Sequence, residues 1–310
     1  MKKVAVIGAG PSGITAIKNF IDEGFDVTAF ERCDGVGGNW RFNDPSGHSS
    51  VFETTHIISS KYTSFYEDYP LPDDASDYPS HKELLSYFDG YAEHFDIKKN
   101  IKFGTEVLSC KQLPNGRWLL KYKHLEGNDE ITLEFDALVV CNGHHHVPRY
   151  PEYKGEFSGE YIHSHDYKRA APFENKRVLV IGGGNSACDV AVETSRISQE
   201  TSLSWRRGYH LVPKFMYGLP ADVFAKRSRW IPQFLRIPFM KYMLERYQGK
   251  NEDIGLPKVT NKMLATHPTV NSDLYNAIRH GKVKPRPDIE SFSENTVNFV
   301  DGTSAEYDLS

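Results

Sequence analysis

The feature that most constrains the fold is a strand, glycine turn and helix pattern that occurs twice in the sequence. It reads VAVIGAGPSG at residues 4–13 and VLVIGGGNSACDVA at residues 178–191. In each copy a short apolar run, typical of a buried parallel strand, meets closely spaced glycines and then apolar residues at helical spacing. Each copy therefore predicts a β-α-β unit that holds a dinucleotide at the start of its helix. Two such units in one chain indicate electron transfer between two nucleotide cofactors.

The first glycine turn has the spacing Gly8-x-Gly10-x-x-Gly13. Gly8 permits the tight turn, Gly10 lets a diphosphate approach the backbone, and Gly13 allows the helix to pack closely on the strand. The N–H groups at the helix start carry partial positive charge and would face the phosphates. Glu31 ends the next strand, where its carboxylate can accept hydrogen bonds from ribose hydroxyls and would repel a 2′-phosphate. This unit is therefore predicted to bind FAD or NAD and not NADP.

The second turn has the spacing Gly182-x-Gly184-x-x-Ala187, and alanine in the last place still allows close packing. After the following strand this unit carries Arg206 and Arg207 instead of an acid. Guanidinium groups bind a 2′-phosphate by charge and by paired hydrogen bonds. The sequence thus favours FAD in the first unit and NADPH in the second, with a solvated basic pair as the alternative interpretation of the arginines.

Length and composition predict about two globular domains in a reducing compartment. The chain has 310 residues and a net charge of −4, which gives no reason to expect nucleic-acid binding. Its four cysteines form no CxxC pair, which fits a reducing compartment. The HHH run at 144–146 lacks the carboxylate or cysteine spacing that would complete a metal site. No stretch approaches the ~18 apolar residues of a membrane span. We expect a cytoplasmic protein with no metal and no membrane span, and a homodimer is left open.

The remaining pattern predicts an α/β fold with two Rossmann-like domains, three-layer and mostly parallel sheets, and a β-meander insertion. A helix is expected at 82–95, followed by meander strands at TEVLSCKQ, RWLLKYKH and EITLEF. A Pro-rich segment after Asn142 is the predicted boundary, which assigns 1–150 plus 271–310 to an FAD-binding domain and 151–270 to an NADPH-binding domain. Within 229–244, Pro232 and Pro238 are expected to break a long amphipathic helix, which favours a packed lid or core element over a membrane-surface segment.

A segment between the two units, FSGEYIHSHDY, resembles the fingerprint of flavin-containing monooxygenases, with Phe157, Gly159, His163 and Tyr167 at the fingerprint positions. Their Baeyer–Villiger relatives usually carry Trp where Tyr167 stands. Other segments resemble the family in the same order along the chain, namely VGGNW at 36–40, YEDYPLP at 66–72, CNGHHHVP at 141–148 and NFVDGT at 298–303. Together these segments cover nearly the whole chain.

Two sets of cofactor-binding residues follow from the turns and the resemblance. The predicted flavin site comprises Gly8, Gly10, Pro11, Ser12, Gly13, Glu31, Arg32, Gly38, Trp40 and Val107. The predicted NADPH site comprises Gly182, Gly184, Asn185, Ser186, Arg206 and Arg207. The fingerprint residues His163 and Tyr167 are expected to position the linker rather than to exchange protons.

The resemblance also implies a reaction. NADPH would reduce the flavin, reduced flavin would trap O2 as a C4a-hydroperoxide, and the nitrogen or sulfur of a small nucleophile would attack that adduct. Bound NADP+ would shield it from water. The implied partners are a small amine or sulfide and O2. Three alternatives stay open: Baeyer–Villiger oxygenation of ketones, an uncoupled NADPH oxidase that releases H2O2, and an inactive nucleotide-binding module.

The sequence departs from the family at two places. Microsomal members carry an Asn, followed by Ser and Lys, that is thought to hold the oxygenated flavin. Ile58 takes that position here and cannot donate a hydrogen bond, so Ser59 or Ser60 is the candidate substitute, with Lys61 following. At the other end, DGTSAEYD leads in the family into a strand that closes on an Ala-Thr-Gly turn. This sequence stops at Ser310, so it is either naturally short or lacks the family's last portion.

Overall fold

The computed structural model of the protein describes residues 1–127, 129–263 and 268–309. These residues divide into two compact units. Unit 1 contains residues 1–57 and 65–148, and unit 2 contains residues 58–64 together with the described residues from Arg149 onward. The first glycine turn therefore lies in unit 1 and the second in unit 2.

Unit 1 is built from seven strands and two helices in its described residues. The strands are β1 (Lys3–Ile7), β2 (Asp26–Phe30), β3 (Ile101–Lys102), β4 (Thr105–Gln112), β5 (Trp118–His124), β6 (Glu130–Phe135) and β7 (Ala137–Val140). The helices are α1 (Pro11–Asp22) and α2 (His81–His94), and short 3-10 turns occur at Gly38–Trp40 and Lys98–Asn100. The region between residues 31 and 80 otherwise consists of loops, as its Gly, Pro and Ser content predicts.

The central sheet of unit 1 has the order β3-β2-β1-β7, and every neighbouring pair is parallel. Side chains of β1 alternate between its two faces. Val4 and Val6 pack in one core with residues of α1 and α2 such as Ile17, whereas Ala5 packs in another with Leu120 of the meander. The antiparallel sheet β4-β5-β6 thus covers the face opposite the helices. Three layers and a meander were the predicted architecture.

Unit 2 contains the remaining elements. Its strands are β8 (Arg177–Ile181), β9 (Glu200–Ser204), β10 (Leu211–Val212), β11 (Phe215–Met216), β12 (Leu219–Pro220), β13 (Thr269–Val270), β14 (Val283–Arg286), β15 (Ile289–Ser293), β16 (Thr296–Phe299) and β17 (Ser304–Glu306). Its helices are α3 (Asn185–Thr194), α4 (Ala221–Arg227), α5 (Gln233–Gln248) and α6 (Leu274–Arg279), with 3-10 turns at Ala171–Phe173 and Asn251–Ile254.

A second parallel sheet, β14-β9-β8, organises unit 2. The antiparallel strands β15, β16 and β17 pack beside it, and Leu179 of β8 shares a core with Val297, Phe299 and Tyr307. Arg177, at the start of β8, forms an ion pair of 2.7 Å with Asp308. The last described strands are therefore an integral part of unit 2.

This arrangement corrects the predicted domain assignment for 271–310, which joined that segment to the FAD-binding domain. Strand β14 pairs in parallel with β9 over Val283–Arg286, and β15–β17 pack on β8, so the described residues 271–309 belong to unit 2. Parallel neighbours that lie about eighty residues apart leave no local pattern in the sequence, which explains the error.

Helix α5 also differs from the prediction. It starts directly after Pro232, continues through Pro238, and buries only Leu244 among its described side chains. Pro238 removes one backbone donor and its ring crowds the preceding turn, but its fixed φ is compatible with a helix, and the helix continues through it. Trp230 and Phe234 are 83% and 75% exposed, whereas Ile237, Met240 and Leu244 on the other side pack in a core with Met216. The element is thus packed on one face, but it is a continuous helix and not the broken one that was expected. Neither α5 nor any other helix of the described residues is long and apolar enough to cross a membrane.

Candidate functional site

The first glycine turn is closed tightly by its own backbone. Gly8 has a φ of +95°, and a side chain there would begin 2.5 Å from the carbonyl oxygen of Cys141. A side chain at Gly13 would begin 2.0 Å from the carbonyl oxygen of Gly8. Both glycines are therefore required by the packing of β1, α1 and β7.

Gly10 differs from these two glycines. Its backbone is extended, with φ −72° and ψ −173°, a conformation that any residue adopts. The nearest atom to a Cβ built on it is the Cα of Gly38 at 3.6 Å, an ordinary contact. The protein itself does not require glycine at position 10, whereas a diphosphate close to the backbone would.

A cavity of about 670 Å³ in unit 1 opens at this turn. All of the predicted flavin residues except Gly13 line it: Gly8, Gly10, Pro11, Ser12, Glu31, Arg32, Gly38, Trp40 and Val107. The structure thus brings together residues from the turn, the end of β2, the Gly38–Trp40 turn and β4. An elongated nucleotide with its diphosphate at the turn fits this distribution.

Glu31 is buried at the cavity wall, and both of its carboxylate oxygens accept backbone hydrogen bonds. The N–H of Ala9 donates to Oε2 at 2.6 Å and the N–H of Cys33 donates to Oε1 at 2.8 Å. A carboxylate has about four acceptor positions, so each oxygen retains one for a ribose hydroxyl. The two amide bonds hold the carboxylate in place for that role.

Two further polar residues of the cavity wall, His48 and Asp44, were not found from the sequence. Arg32 donates to Nδ1 of His48 at 3.2 Å, and the His48 ring stacks on His146 with centroids 4.8 Å apart. Burial, Arg32 and His146 all lower the pKa of His48. Asp44 accepts a hydrogen bond from the Cys33 thiol at 2.9 Å, and burial raises the pKa of that thiol. The two hydrogen bonds join residues 16 and 11 positions apart within an irregular stretch that has no periodic pattern, so the sequence did not indicate them.

The helices that follow the two glycine turns begin without a side-chain cap from any described residue, whereas α2 begins with one. Helix α1 begins after Gly10 and α3 begins after Gly184, and no described side chain caps either start. Helix α2 instead has a complete capping box, in which Ser80 and Glu83 satisfy each other's backbone N–H groups. Uncapped first-turn N–H groups are the donors that a diphosphate accepts from. Both starts therefore fit the phosphates of a dinucleotide.

In the second turn, Gly183 is closely surrounded by side chains, whereas Gly184 has open space beside it. Gly182 has a φ of +128°, and a side chain at the buried Gly183 would begin 2.3 Å from the Tyr209 ring. Gly184 is exposed, and no described heavy atom lies within 4 Å of a Cβ built on it. As at Gly10, the space at Gly184 is available to a ligand.

The remaining predicted NADPH residues surround this turn within unit 2. Ser186 is exposed on the first turn of α3, and Asn185 accepts a hydrogen bond at Oδ1 from the N–H of Val270 at 2.6 Å. Arg206 and Arg207 follow β9, are exposed, and form no ion pair with any described residue. The Arg207 guanidinium lies over the Tyr209 ring, 5.3 Å from its centroid. Two cationic groups without an acidic partner fit a 2′-phosphate.

The fingerprint residues pack inside unit 2. A side chain at Gly159 would begin 2.6 Å from the Phe157 ring, and Tyr167 is 2% exposed with its ring 5.3 Å from that of Phe173. His163 accepts a hydrogen bond at Nδ1 from the backbone N–H of His165, and burial lowers its pKa. His163 and Tyr167 also line a cavity of about 220 Å³ beside β8. Their predicted role in positioning the linker stays a prediction.

The two serines near the family's Asn position are not equivalent. Ser60 is fully buried, and both its N–H and its hydroxyl donate to Oδ2 of Asp222, at 2.8 and 2.9 Å. Ser59 accepts a hydrogen bond from the Ser64 hydroxyl at 2.6 Å and keeps its own hydroxyl hydrogen for another acceptor. Asp222, which also accepts from Thr63, was not predicted, because it lies in α4, far along the chain.

Sequence relatives extend along the whole chain. A sequence model of the flavin-binding monooxygenase-like family matches residues 1–309. Dimethylaniline monooxygenase (N-oxide-forming) 2 from Oryctolagus cuniculus is 37% identical over 321 residues, which is 98% of this chain and 59% of that protein. Flavin-containing monooxygenase 5 from Homo sapiens is 38% identical over 319 residues, or 97% and 59% of the two chains. The chain thus spans 59% of the length of these relatives.

Solved structures with the same fold are less similar in sequence. S-allyl-L-cysteine S-oxygenase from Allium sativum superposes with a TM-score of 0.71 at 23% identity, over 99% of this chain and 61% of that one. Cyclohexanone monooxygenase from Rhodococcus sp. Phi1, solved bound to NADP+, gives a TM-score of 0.68 at 19% identity, over 99% and 69% of the two chains. The predicted α/β fold with mostly parallel sheets is confirmed.

Proposed function

The chain belongs to the flavin-binding monooxygenase-like family, and from this premise we propose that it is an NADPH- and FAD-dependent monooxygenase. It would oxygenate the nitrogen or sulfur of small nucleophilic molecules. FAD and NADPH are the cofactors of the family. The observation that carries the proposal is the pair of glycine turns that open α1 and α3 and leave space at Gly10 and Gly184, one followed by Glu31 and the other by Arg206 and Arg207.

Each unit would hold one cofactor with its own residues. In unit 1 the 8–13 turn and the first N–H groups of α1 would bind the FAD diphosphate, while Glu31 would accept from the ribose. In unit 2 the 182–187 turn would bind the NADPH diphosphate, and Arg206 and Arg207 would bind the 2′-phosphate. When bound, these cofactors supply the hydride and the activation of O2, so the chain needs no nucleophile of its own.

The test is a stoichiometry measurement on the FAD-loaded protein. NADPH, O2 and a tertiary amine or a thioether are supplied, and N-oxide or sulfoxide, H2O2 and NADPH consumption are measured together. We expect one oxygenated product for each NADPH. Peroxide that accumulates one-for-one with NADPH, whatever substrate is added, would contradict the proposal. A protein that stays colourless after FAD is added would instead support a nucleotide-binding module.

Baeyer–Villiger oxygenation is tested by a ketone panel in the same assay. Tyr167 stands where enzymes of that type usually carry Trp, so we expect ketones to be poorer substrates than the amine or thioether. Ester formation at a rate equal to sulfoxidation would reverse this assignment.

A second candidate function, an uncoupled NADPH oxidase, is favoured by the loop at 58–64. Ile58 has no side-chain donor, and the Ser60 hydroxyl is committed to Asp222. Of the two candidate serines, Ser59 is then the one that keeps a hydroxyl hydrogen for another acceptor. A peroxide yield near the NADPH consumed, in the presence of a saturating thioether, would select this function over the first.

A further inference from the structure

The second glycine turn contains three consecutive glycines, and the middle one is imposed by its neighbours. A side chain at Gly183 would begin 2.3 Å from the ring of Tyr209 and 3.1 Å from that of Trp205. Packing against these rings therefore requires glycine. A glycine run has wide conformational freedom, so the Gly183–Gly184 peptide would rotate easily unless another group held it.

Thr269 of β13 is the group that holds this peptide. Its hydroxyl is buried and donates to the carbonyl oxygen of Gly183 at 2.7 Å, across 86 residues of chain. In a planar trans peptide the C=O of one residue and the N–H of the next point in opposite directions. With the Gly183 carbonyl directed at the buried Thr269 hydroxyl, the N–H of Gly184 points away from it. Gly184 is exposed, so that N–H is directed to the open side of the turn.

The residues after Thr269 fix the same segment to α3. The N–H of Val270 donates to Oδ1 of Asn185 at 2.6 Å, and Nδ2 of Asn271 donates to Oδ1 of Asp189 at 2.6 Å. Burial raises the pKa of Asp189 to about 6, so at pH 7.5 the carboxylate is mostly ionised and accepts this bond. The bond from Val270 to its oxygen fixes the orientation of the Asn185 amide, whose NH2 group can donate to a ligand, and a donor is what a phosphate requires. Three successive residues thus hold the turn and helix in a donor arrangement.

We propose that Thr269 is a positioning residue for the second nucleotide site: its hydroxyl fixes the Gly183–Gly184 peptide so that the Gly184 N–H donates to the NADPH diphosphate. The inference rests on the proposed function, since it takes NADPH as the ligand of unit 2. A rotated peptide would present the Gly183 carbonyl oxygen to the phosphates, and two acceptors facing each other repel.

The experiment compares Thr269→Val, which keeps the shape and removes the hydroxyl, with Thr269→Ser, which keeps the hydroxyl. The dissociation constant of NADP+ is measured at pH 7.5 by calorimetric titration of the FAD-loaded protein. We expect about tenfold weaker binding for Thr269→Val, equivalent to ~1.4 kcal/mol, and near wild-type binding for Thr269→Ser. In anaerobic reduction by NADPH the apparent Kd should rise by the same factor while the limiting rate of flavin reduction stays unchanged.

Thr194→Val is the matched control. Its hydroxyl is equally buried and donates to the Val190 carbonyl at 2.7 Å near the opposite end of α3. This variant removes a buried hydroxyl from α3 itself and should leave the Kd of NADP+ unchanged. The inference would be overturned if Thr269→Val bound NADP+ as tightly as wild type. It would also be overturned if Thr269→Val and Thr194→Val lost NADP+ affinity to the same extent. Wild-type protein that binds FAD but no NADP+ would overturn the proposed function itself. Wild-type protein that does bind NADP+, but no more tightly than Thr269→Val, would overturn only the role of Thr269, so the two failures are distinguishable.

Discussion

At the residue scale, the glycines of the two turns fall into two groups with different reasons for being glycine. Gly8 and Gly13 are fixed by backbone atoms 2.5 and 2.0 Å from where a side chain would begin. Gly10 and Gly184 have extended backbones and room for a side chain in the protein itself. A substitution at Gly10 or Gly184 therefore tests whether a ligand binds at that position, because it leaves the fold largely intact.

Gly10→Val is predicted to abolish flavin binding without unfolding the protein. The new side chain would enter the cavity of unit 1 where the diphosphate is expected, because Gly10 lines that cavity. The measurement is the flavin absorbance of protein purified with excess FAD, with the melting temperature of the apoprotein as a check on folding. Gly184→Val is the matched variant and should retain flavin while losing NADP+ affinity. A yellow, fully loaded Gly10→Val protein would show that the diphosphate lies elsewhere.

The residues that were predicted correctly and those that were missed differ in sequence separation. The cavity residues at 8–13 and 31–40 carry local signals, because turn geometry and the end of a strand show in a few consecutive letters. The bond between Ser60 and Asp222 spans 162 residues and that between Thr269 and Gly183 spans 86. Such partners are common polar residues with no pattern around them, so only the folded chain identifies them.

At the element scale, the helix starts differ in how their first N–H groups are satisfied, and a missing side-chain cap alone does not mark a nucleotide site, because α4 and α5 also lack one among the described residues. Helix α2 satisfies its first N–H groups with its own side chains, whereas α1 and α3 show no side-chain cap in the described structure. The periodicity of apolar residues predicted all three helices, and the predicted bounds of α2, 82–95, differ by one residue from the observed His81–His94. It failed for α5, because Pro238 was interpreted as a break, whereas the helix continues through it at the cost of one hydrogen bond and of crowding between the proline ring and the preceding turn.

Glu83→Gln is predicted to destabilise the protein in a pH-dependent way. Burial opposes ionisation of Glu83, but hydrogen bonds from Ser80 and Ser76 lower its pKa to about 2. A folded-state pKa below the unfolded value of ~4.3 stabilises the fold above that value, and the stabilisation is lost as the pH falls toward 2. In urea unfolding, the free energy of unfolding of Glu83→Gln should therefore be about 1 kcal/mol lower than that of wild type at pH 7. This difference between the two proteins should narrow below about pH 4.3.

The control for this prediction is Glu93→Gln on the same helix. Glu93 is exposed and pairs with Lys98 at 3.0 Å on the surface, where ion pairs contribute ~0–1 kcal/mol. Its substitution should change the free energy of unfolding little. A deficit for Glu83→Gln that is the same at every pH would mean that the charge of the capping carboxylate is not what stabilises the start of α2.

At the scale of the whole molecule, the two units have separate cores. Unit 1 buries Val4, Ile17 and Tyr91 between its sheet and helices, and unit 2 buries Leu179, Val297 and other residues around β8. The sequence predicted two nucleotide-binding domains, but it misplaced 271–310, because parallel pairing of β14 with β9 has no local signature. Each predicted cofactor would thus be held mainly by one unit.

This division predicts separate protection by the two cofactors in amide hydrogen exchange. FAD added to the apoprotein should slow exchange at 8–13 and 31–40, and NADP+ should slow exchange at 182–187 and 204–207. A ligand at a hundred times its Kd stabilises the state that binds it by ~2.7 kcal/mol, which exchange readily detects. Protection of the 182–187 turn by FAD, with 8–13 unaffected, would reverse the assignment of cofactors to units.

The helix starts of α1 and α3 also bear on how much of the protein a cell maintains. A glycine N-cap costs only about a few tenths of a kcal/mol relative to Ser or Asp, but a nucleotide bound at a hundred times its Kd would stabilise the folded chain by ~2.7 kcal/mol at each site. Freshly synthesised chains would therefore open more often until they acquire their nucleotides, and proteases degrade the opened form. Riboflavin scarcity would then reduce the abundance of the protein itself, and turnover would remove the unloaded molecules first.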